Sequence, residues 1–346
     1  MNALSCPLPS FDTETVLLGH GSGGSLSAAL FRSIFQPAFT NPILDRMDDQ
    51  AALEIGGARL AFTTDSFVVK PLFFRGGDIG SLAVNGTIND LAVGGATPLF
   101  LSAGFILEEG FPIDDLRKVV ASMCEAARRA GVQIVTGDTK VVEKGGCDGM
   151  FLNTAGIGLL RGDLTLSADQ ARPGDAVLLS GPIGDHGIAV LAEREGLSFE
   201  TDIQSDTAPL NSLVDALFAA EGAIRCMRDP TRGGVAASTN EIAQTSRVGI
   251  QLFEEAIPVR AEVRGACELL GLDPLYIANE GKLLAIVSAE DAERLLSRMQ
   301  SHPQGQAAAI VGRVTAENAG MVTIRTTLGA TRIVDLPAND PLPRIC

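Results

Sequence analysis

The residues with the clearest chemical potential in this sequence are aspartates at the ends of predicted strands and inside one apolar helix. Asp48 and Asp49 lie in a turn before a strand, and Asp65 ends a Thr-Thr-Asp strand. Asp90 interrupts an otherwise apolar helix, and Asp138 follows a strand within Gly-Asp-Thr. Taken singly, each is typical of a cap or turn. Together they predict a metal–phosphate site, because buried carboxylates need a partner and Mg²⁺ combines one or two carboxylates with ligand phosphates.

A glycine-rich segment near the N-terminus is a second candidate for binding phosphate. In Gly19-His20-Gly21-Ser22-Gly23-Gly24, the backbone N–H groups of Gly21, Gly23 and Gly24 can lie over phosphates. The spacing formally fits the dinucleotide fingerprint, but Pro37 and Pro42 interrupt the strand that this motif requires. An ordinary loop is an equally good interpretation, and the GxxxxGK[ST] phosphate loop is absent.

The loop Asp229-Pro230-Thr231-Arg232-Gly233-Gly234 leads into a predicted helix. The N-terminus of a helix favours anions, because its N–H groups lack partners and its dipole is positive there. We therefore expect Asp229, Arg232 and Gly233 near the phosphate end of a nucleotide. The alternative is a plain helix start with Pro230 in the first turn.

The chain ends in a cysteine, Cys346, on a proline-containing tail. Pro337, Pro341 and Pro343 disfavour a helix and favour an extended path. The residues from Asp335 onward can span roughly 35–40 Å, so the tail can present its thiol to more than one active site. The alternative is a frayed end with an incidental cysteine.

The elements that must position these residues predict an α/β or α+β protein of two domains. Gly80–Val93 is a predicted buried helix, and Ile113–Ala130 is a predicted amphipathic helix that ends at Gly131. The second half again alternates strands, glycine turns and helices. We predict four segments: a glycine-rich segment at 1–40, an ATP-binding domain at 41–162, a second domain at 163–335, and a flexible tail at 336–346.

Composition excludes several classes of protein. A net charge of -15 and a chain without Trp argue against nucleic-acid binding. No apolar run reaches the length of a membrane span, so we expect no membrane association. The six cysteines show no metal-ligand spacing, which indicates a cytoplasmic protein with reduced thiols. Five of them are predicted to be buried apolar residues: Cys6, Cys124, Cys147, Cys226 and Cys267.

Several short motifs together resemble the PurM (aminoimidazole ribonucleotide synthetase) superfamily. They are Met47-Asp-Asp-Gln-Ala51, Thr63-Thr-Asp-Ser-Phe67, Gly77-Asp-Ile-Gly80, Thr87-Ile-Asn-Asp-Leu-Ala-Val-Gly-Gly-Ala96, Thr136-Gly-Asp-Thr-Lys140 and Asp229-Pro-Thr-Arg-Gly-Gly234. With Asn279-Glu280-Gly281 and the terminal Pro343-Arg344-Ile345-Cys346, the chain resembles the HypE family of hydrogenase maturation proteins over nearly its full length. Gln50 departs from the pattern, in which glycine is expected.

The resemblance implies a carbamoyl dehydratase. A carbamoyltransferase, HypF, would load Cys346, and ATP with Mg²⁺ would drive dehydration of the S-carboxamide to a thiocyanate. The thiocyanate would supply cyanide to an iron carried by the HypC–HypD complex. The resemblance also implies a homodimer in which the N-terminal domains form a barrel-like sheet.

The resemblance further assigns roles to residues. Lys140 and Glu280 would form the dehydration site as a coupled pair. Two sets of residues would bind the cofactors: for the metal, Asp48 or Asp49, Asp65, Asp90 and Asp138; for the nucleotide, Gly21, Gly23, Gly24, Asp65, Asn89, Asp90, Asp138, Asp229, Arg232 and Gly233.

Two other functions stay open on the sequence. The first is a small-molecule ATP enzyme of the same superfamily, such as a thiamine-phosphate kinase or a selenophosphate synthetase, in which Cys346 is incidental. The second is a non-catalytic scaffold that passes a ligand between maturation proteins. ATP hydrolysis that depends on a carbamoylated tail separates the three.

Overall fold

A computed structural model describes residues 14–162, 164, 166–197, 202–336 and 342–346. Cys6, Pro337 and Pro341, on which predictions were made, lie outside these residues. The described chain has two halves, each with a mixed β-sheet and several helices, in agreement with the predicted α/β class. The predicted boundaries at residues 41, 163 and 336 stay predictions.

The N-terminal half is built on an open five-stranded sheet of order β1-β2-β7-β5-β6, in which β5 and β6 are parallel and the other neighbours antiparallel. A short hairpin, β3 with β4, precedes the long helix α3. The strands are β1 Ala51–Ile55, β2 Ala58–Phe67, β3 Phe73–Phe74, β4 Gly77–Asp78, β5 Ala96–Glu108, β6 Gln133–Val142 and β7 Met150–Leu160. The helices are α1 Ser25–Leu30, α2 Gln36–Phe39, α3 Ile79–Val93 and α4 Ile113–Ala130.

The C-terminal half is built on a seven-stranded sheet of order β14-β13-β10-β12-β8-β11-β9, in which β10 and β13 are parallel. Its central strands β8 and β11 are buried throughout, because helices cover the sheet. The strands are β8 Ala176–Leu179, β9 Ile224–Arg228, β10 Gly249–Phe253, β11 Leu284–Val287, β12 Ala309–Thr315, β13 Val322–Arg325 and β14 Thr331–Ile333. The helices are α5 Asp185–Glu195, α6 Asn211–Phe218, α7 Gly234–Ser246, α8 Ala261–Leu270 and α9 Ala292–Gln300.

Helix α3 is the central element of the N-terminal half. It is buried along its whole length except at Asp90, as the run of small and apolar residues predicts. Asp78 caps it by accepting a hydrogen bond from the Ser81 N–H at 2.8 Å. Gly80 allows α4 to approach closely, because a Cβ at this position would lie 2.5 Å from the Val119 carbonyl oxygen. The sequence of α3 therefore specifies a helix packed on every side.

Other sequence predictions have mixed outcomes. Helix α4 spans the predicted residues and ends at Gly131 in the left-handed conformation. The prediction that Asp138 follows a strand is wrong, because β6 continues beside β5 as far as Val142. The prediction that Asp65 ends a strand is also wrong, because β2 continues to Phe67. Cys226 and Cys267 are buried as predicted, whereas Cys147 is only half-buried and Cys124 is exposed, since it lies one position past the buried face of α4.

None of the helices in the described part of the chain is both long enough and apolar enough to cross a membrane.

The outer face of the five-stranded sheet, which points away from α3, is apolar and exposed. Pairing places Phe62, Ile157 and Phe100 in one row across β2, β7 and β5. The same face also carries Ile106 and Leu159. Their side chains are about two-fifths exposed or more, so the sheet has one face packed on α3 and one apolar face without cover in a single chain.

The close contact at Gly80 yields a test of the packing. Gly80→Ala is expected to lower the free energy of unfolding by about 1–3 kcal/mol, because the added methyl group displaces α4. Gly265→Ala in α8 is the matched control, since nothing lies within 4 Å of its added Cβ. It should leave stability unchanged or raise it by about 0.5–1 kcal/mol. Urea denaturation of both variants measures the difference, and equal effects would contradict the packing of α3 on α4.

Candidate active site

Four carboxylates from both halves of the chain come together between the two sheets. We call Asp65 on β2, Asp90 on α3, Asp229 after β9 and Glu280 before β11 the acidic cluster. Glu280 and Asp229 are buried, whereas Asp65 and Asp90 are half-buried. Burial raises the pKa of Asp90 well above its usual range, and the charges of Asp65, Asp229 and Glu280 raise it further. The four side chains therefore interact as one electrostatic unit.

The same two causes act on the other members of the acidic cluster. Burial and then the charges of Asp229, Asp206 and Asp65 raise the pKa of Glu280 well above normal. Burial raises the pKa of Asp229 to about 6 and also raises that of Asp65. Oε1 of Glu280 is buried and has no hydrogen-bond partner among the described residues. The cluster is therefore unfavourable by itself and suited to a cation.

The donor set fits Mg²⁺. In the described part of the chain, no three acidic, histidine or cysteine side chains are close enough to hold a metal ion by themselves. Mg²⁺ does not require such a cage, because it takes one or two carboxylates and completes its shell with phosphates and water. Asp65 and Asp90, with their partial exposure, are the members best placed for that role.

Local contacts hold the acidic cluster in place. Thr63, on the same face of β2 as Asp65, donates a hydrogen bond of 2.9 Å to Oδ2 of Asp90. Asn89 is fully buried, and its amide donates to the main-chain oxygens of Ala208 and Glu280 at 3.1 and 3.3 Å. Asn89, predicted to bind nucleotide, therefore joins α3 to the main chain of Glu280.

A large cavity of about 1020 Å³ adjoins the glycine-rich segment and the loop before α7. Arg232 lines it and donates a hydrogen bond of 2.7 Å to the Gly21 carbonyl oxygen. Gly23 has a positive φ of 77° and no room for a side chain, because a Cβ would lie 2.9 Å from the Cβ of Arg232. Gly24 also lines the cavity, and Gly233, at φ 74°, caps α7.

Arg232 also connects this cavity to the acidic cluster, since its charge lowers the pKa of Asp65 and of Glu280 against the effect of burial. Of the predicted nucleotide-binding residues, Gly23, Gly24 and Arg232 thus line one space that is large enough for a nucleotide.

The structure separates the adjacent aspartates of the Met47–Ala51 motif. Asp49 lines the large cavity and forms an ion pair with the buried Arg228. Asp48 instead accepts a hydrogen bond of 2.9 Å from Ser167 and pairs with Arg46. Of the two predicted metal ligands, Asp49 is therefore the one next to the nucleotide-sized space.

Asp138 and Lys140 lie apart from the acidic cluster in a single chain. They are exposed on the outer face of the sheet, whereas Asp65 lies on the inner face. Lys140 and Asp138 form an ion pair of 2.6 Å. The hydrogen bond from Lys140, and a second one from the Thr139 N–H, lower the pKa of Asp138. The predicted coupling of Lys140 with Glu280 is thus not formed within one chain.

A small cavity of about 350 Å³ surrounds this ion pair. Its lining includes Ser66, Val68, Asp138, Lys140, Phe151 and Asn153. The main chain of Val68 donates a hydrogen bond of 3.1 Å to the carbonyl oxygen of Cys346. The end of the tail therefore lies at the rim of the small cavity.

Sequence analysis missed the residues that support Glu280. The Glu280 N–H donates to Asp206 at 3.1 Å, and Asp206 forms a buried ion pair of 2.9 Å with Lys282. Burial opposes ionisation of Asp206, but Lys282 and His186 hold its pKa below normal. A lysine two residues after Glu280 was the available signal, whereas Asp206 lies too far away in sequence to be found.

Comparison with known proteins first defines the class. The family model described as "AIR synthase related protein, N-terminal domain" matches residues 47–160, and the corresponding C-terminal model matches residues 172–325. The two matches cover both sheets and most of the chain. The resemblance to the aminoimidazole ribonucleotide synthetase superfamily is therefore confirmed.

More similar relatives then define the family. The carbamoyl dehydratase HypE of Azotobacter vinelandii is 57% identical over 332 residues, which cover 96% of this chain and 97% of the relative. A solved HypE–HypF complex is 53% identical with a TM-score of 0.85, covering 89% of this chain and all of its own. A HypE structure in complex with ATP is 51% identical with a TM-score of 0.81, covering 96% and 100%. The chain belongs to the HypE family of carbamoyl dehydratases.

The raised pKa of Asp229 predicts how stability depends on pH. The pKa of Asp229 is about 6 in the folded chain, whereas the ordinary value of 3.8 applies to the unfolded chain. Between these two pH values the folded chain binds more protons, so stability falls as pH rises through this range. Without added Mg²⁺ or nucleotide, Asp229→Asn should therefore raise the free energy of unfolding by about 1–3 kcal/mol at about pH 7.5. This gain should vanish near pH 4.

Asp291 is the matched control, because its pKa is shifted in the opposite direction to that of Asp229. Hydrogen bonds from the Ala223 N–H, Ser288 and Arg294 lower its pKa to about 2, so Asp291→Asn should lower stability at neutral pH. Urea denaturation across the pH range measures both variants. A loss of stability in Asp229→Asn at neutral pH would contradict the electrostatic cost assigned to the acidic cluster.

Proposed function

We propose that this chain uses ATP to dehydrate a carbamoyl group carried on the sulfur of its own Cys346. The product is a thiocyanate that supplies cyanide for the iron of [NiFe] hydrogenase. The observation that carries this proposal is the acidic cluster beside a nucleotide-sized cavity, in a chain that ends in cysteine. The names of the similar proteins, carbamoyl dehydratase and HypE in complex with ATP, support the same activity.

ATP is needed because the oxygen of an amide is a poor leaving group. Transfer of the γ-phosphoryl group to the carboxamide oxygen, with loss of one N–H proton, converts that oxygen into a phosphate ester. Loss of phosphate and of the second N–H proton then leaves a carbon–nitrogen triple bond on sulfur. The protein must therefore align the phosphoryl group with the carboxamide and accept two protons.

Asp65 and Asp90 are suited to hold Mg²⁺, which would neutralise charge on the transferred phosphoryl group when it is bound. Arg232 adds a fixed positive charge between the glycine-rich segment and the acidic cluster. Gly23 and Gly24 line the same cavity, where the Gly24 N–H can donate to a phosphate oxygen, whereas the Gly23 N–H donates to Oγ of Ser27 at 2.9 Å.

Glu280 is the residue best placed to exchange a proton in the chain itself. Burial and the neighbouring carboxylates raise its pKa well above the usual range, which favours its protonated form. Positive charge brought into the cluster would lower that pKa and favour the carboxylate, which can accept a proton from the carboxamide nitrogen. Asp206 and Lys282 hold its main chain in position.

We propose that Lys140 and Asp138 complete the site of a second copy in a homodimer. The support is the exposed apolar outer face of the five-stranded sheet, on which both residues lie. Two such faces packed together bury the exposed rows in the barrel-like arrangement that the sequence resemblance implies. Lys140 then meets Glu280 across the dimer rather than within one chain.

We further propose HypF as the donor of the carbamoyl group and the HypC–HypD complex as the acceptor of the cyano group. A solved HypE–HypF complex of a similar protein supports the first partner. We place the reaction in the cytoplasm, where thiols stay reduced; Cys124, Cys147, Cys226 and Cys267 form no disulfide among the described residues.

The test of the function is the mass of the intact protein after mixing with carbamoyltransferase, carbamoyl phosphate and ATP. The wild-type chain should first gain about 43 Da as the S-carboxamide and then remain about 25 Da above the thiol as the thiocyanate. Cys346→Ser should bind ATP but gain neither mass, because a hydroxyl is a weak nucleophile at neutral pH.

Cys124→Ser is the matched control, since it removes an exposed thiol elsewhere and should behave as wild type. A small-molecule kinase would hydrolyse ATP without a modified tail, and a scaffold would not hydrolyse it at all. Thiocyanate formation in Cys346→Ser would overturn the proposed carrier.

The homodimer is tested by mixing two inactive variants. Lys140→Ala and Glu280→Gln should each be carbamoylated but stall at the S-carboxamide. Mixed dimers should recover about a quarter of the wild-type rate after random exchange of subunits, because half the dimers hold one intact composite site. No recovery in dimers shown to be mixed would place Lys140 and Glu280 in the same chain.

A further inference from the structure

The last five residues of the chain are bound along the segment after β2. The Val68 N–H donates to the Cys346 carbonyl oxygen at 3.1 Å, and the Lys70 N–H donates to that of Arg344 at 3.3 Å. In return, Nε of Arg344 donates to the Val68 carbonyl oxygen at 3.0 Å. Residues 344–346 therefore lie beside Val68–Lys70, with Arg344 in the left-handed conformation at φ 57° rather than in an extended strand.

Arg194, in the last turn of α5, binds main-chain oxygens on both sides of this pairing. Its guanidinium donates to the carbonyl oxygens of Pro343 and Arg344 at 2.8 and 2.6 Å. Its Nε donates to the carbonyl oxygen of Lys70 at 2.8 Å. The planar guanidinium group of Arg194 thus links the C-terminal half of the chain to both the tail and the segment after β2.

His186, the second residue of α5 and fully buried, binds the next carbonyl oxygen. Its Nε2 lies 2.9 Å from the Ile345 oxygen, and its Nδ1 lies 2.8 Å from Oγ of Ser205. Because a carbonyl oxygen only accepts, Nε2 carries the proton and Nδ1 accepts from Ser205. The ring also meets Phe74 edge-on, so its orientation is fixed by packing.

Two side chains of the tail are buried as well. Ile345 is 1% exposed and Leu342 is 5% exposed, and both belong to a hydrophobic core that joins residues of the two halves. Leu342 packs on Gly187, where an added Cβ would lie 3.3 Å from its Cδ1. Arg344 forms an ion pair with Asp148 and lies over the ring of Phe151.

We propose that Val68–Lys70, His186 and Arg194 form a binding site for the C-terminal segment of this same chain, which we call the tail seat. The ligand is a peptide that ends in Leu-Pro-Arg-Ile-Cys, recognised by its main-chain oxygens and by two apolar side chains. Arg194 and His186 are positioning residues, because they act on the tail and not on the sulfur. These main-chain contacts are unchanged when the sulfur carries a carbamoyl group.

The tail seat also sets the place of Cys346. Val68 binds the main chain of Cys346 and lines the small cavity that holds Lys140, and Phe151, under Arg344, lines the same cavity. The tail seat therefore places the modified sulfur at the rim of that cavity for dehydration. This last step rests on the proposed function, whereas binding of the tail does not.

Binding is tested without partner or ATP by the rate at which a carboxypeptidase releases cysteine from the intact native protein. Arg194→Gln and Leu342→Asp should each release it at least about 10-fold faster, because each removes contacts that hold the end of the tail. The double variant should be at least as fast as the quicker single variant, since both substitutions weaken the same bound state of the tail. Arg194→Lys should recover part of the protection.

Arg117→Gln is the matched control, because Arg117 is exposed on α4 and pairs there with Asp114. It should release cysteine at the wild-type rate. Thermal unfolding of Arg194→Gln should match wild type, which excludes general unfolding as the cause. Equal release from wild type and both single variants would overturn the tail seat.

The positioning role is tested with the carbamoylated protein. Arg194→Gln should take up the carbamoyl group and bind ATP as wild type does, yet form thiocyanate about 10-fold more slowly in a single turnover. Thiocyanate formation at the wild-type rate would remove the tail seat from the reaction. Failure of the wild-type chain to be carbamoylated would overturn the proposed function and leave the release assay as the test of binding.

Discussion

The constraint on which the rest of the structure depends is the burial of four carboxylates between the two sheets. Their mutual repulsion and loss of hydration oppose folding, as the raised pKa values of Asp90, Asp229 and Glu280 show. The hydrophobic cores, one of which joins residues of both halves, must therefore hold together a site that is unfavourable by itself. A cation bound at the acidic cluster would offset this repulsion.

Helix α3 makes this arrangement possible because it belongs to both halves of the molecule. Its apolar surface packs on the five-stranded sheet and α4, while the amides of Asn85 and Asn89 bond to the segment at 207–210. Asn89 also bonds to the main chain of Glu280. Helix α3 carries Asp90 and bonds to the main chain of Glu280 through Asn89. It thereby fixes the distance between Asp90 and Glu280, which belongs to the C-terminal half.

The segment at 205–210 connects the acidic cluster to the tail seat. Asp206 accepts the Glu280 N–H on one side, and Ser205 bonds to His186, which holds the tail, on the other. The Thr207 N–H donates to Oγ of Ser205, so the contacts are continuous. The tail seat and Glu280 therefore contact the same short stretch of main chain.

The sequence by itself determined the local elements and the identity of the family. The period of apolar residues specified α4, the small residues of α3 specified a buried helix around Asp90, and the motifs indicated a carbamoyl dehydratase. Only the tertiary structure decided which side chains meet. Strand register placed Asp65 and Asp138 on opposite faces of one sheet, and packing between the halves brought Asp206 to Glu280. The physical reason is that periodicity reports the faces of a single element, whereas contacts between distant residues depend on how complete elements pack.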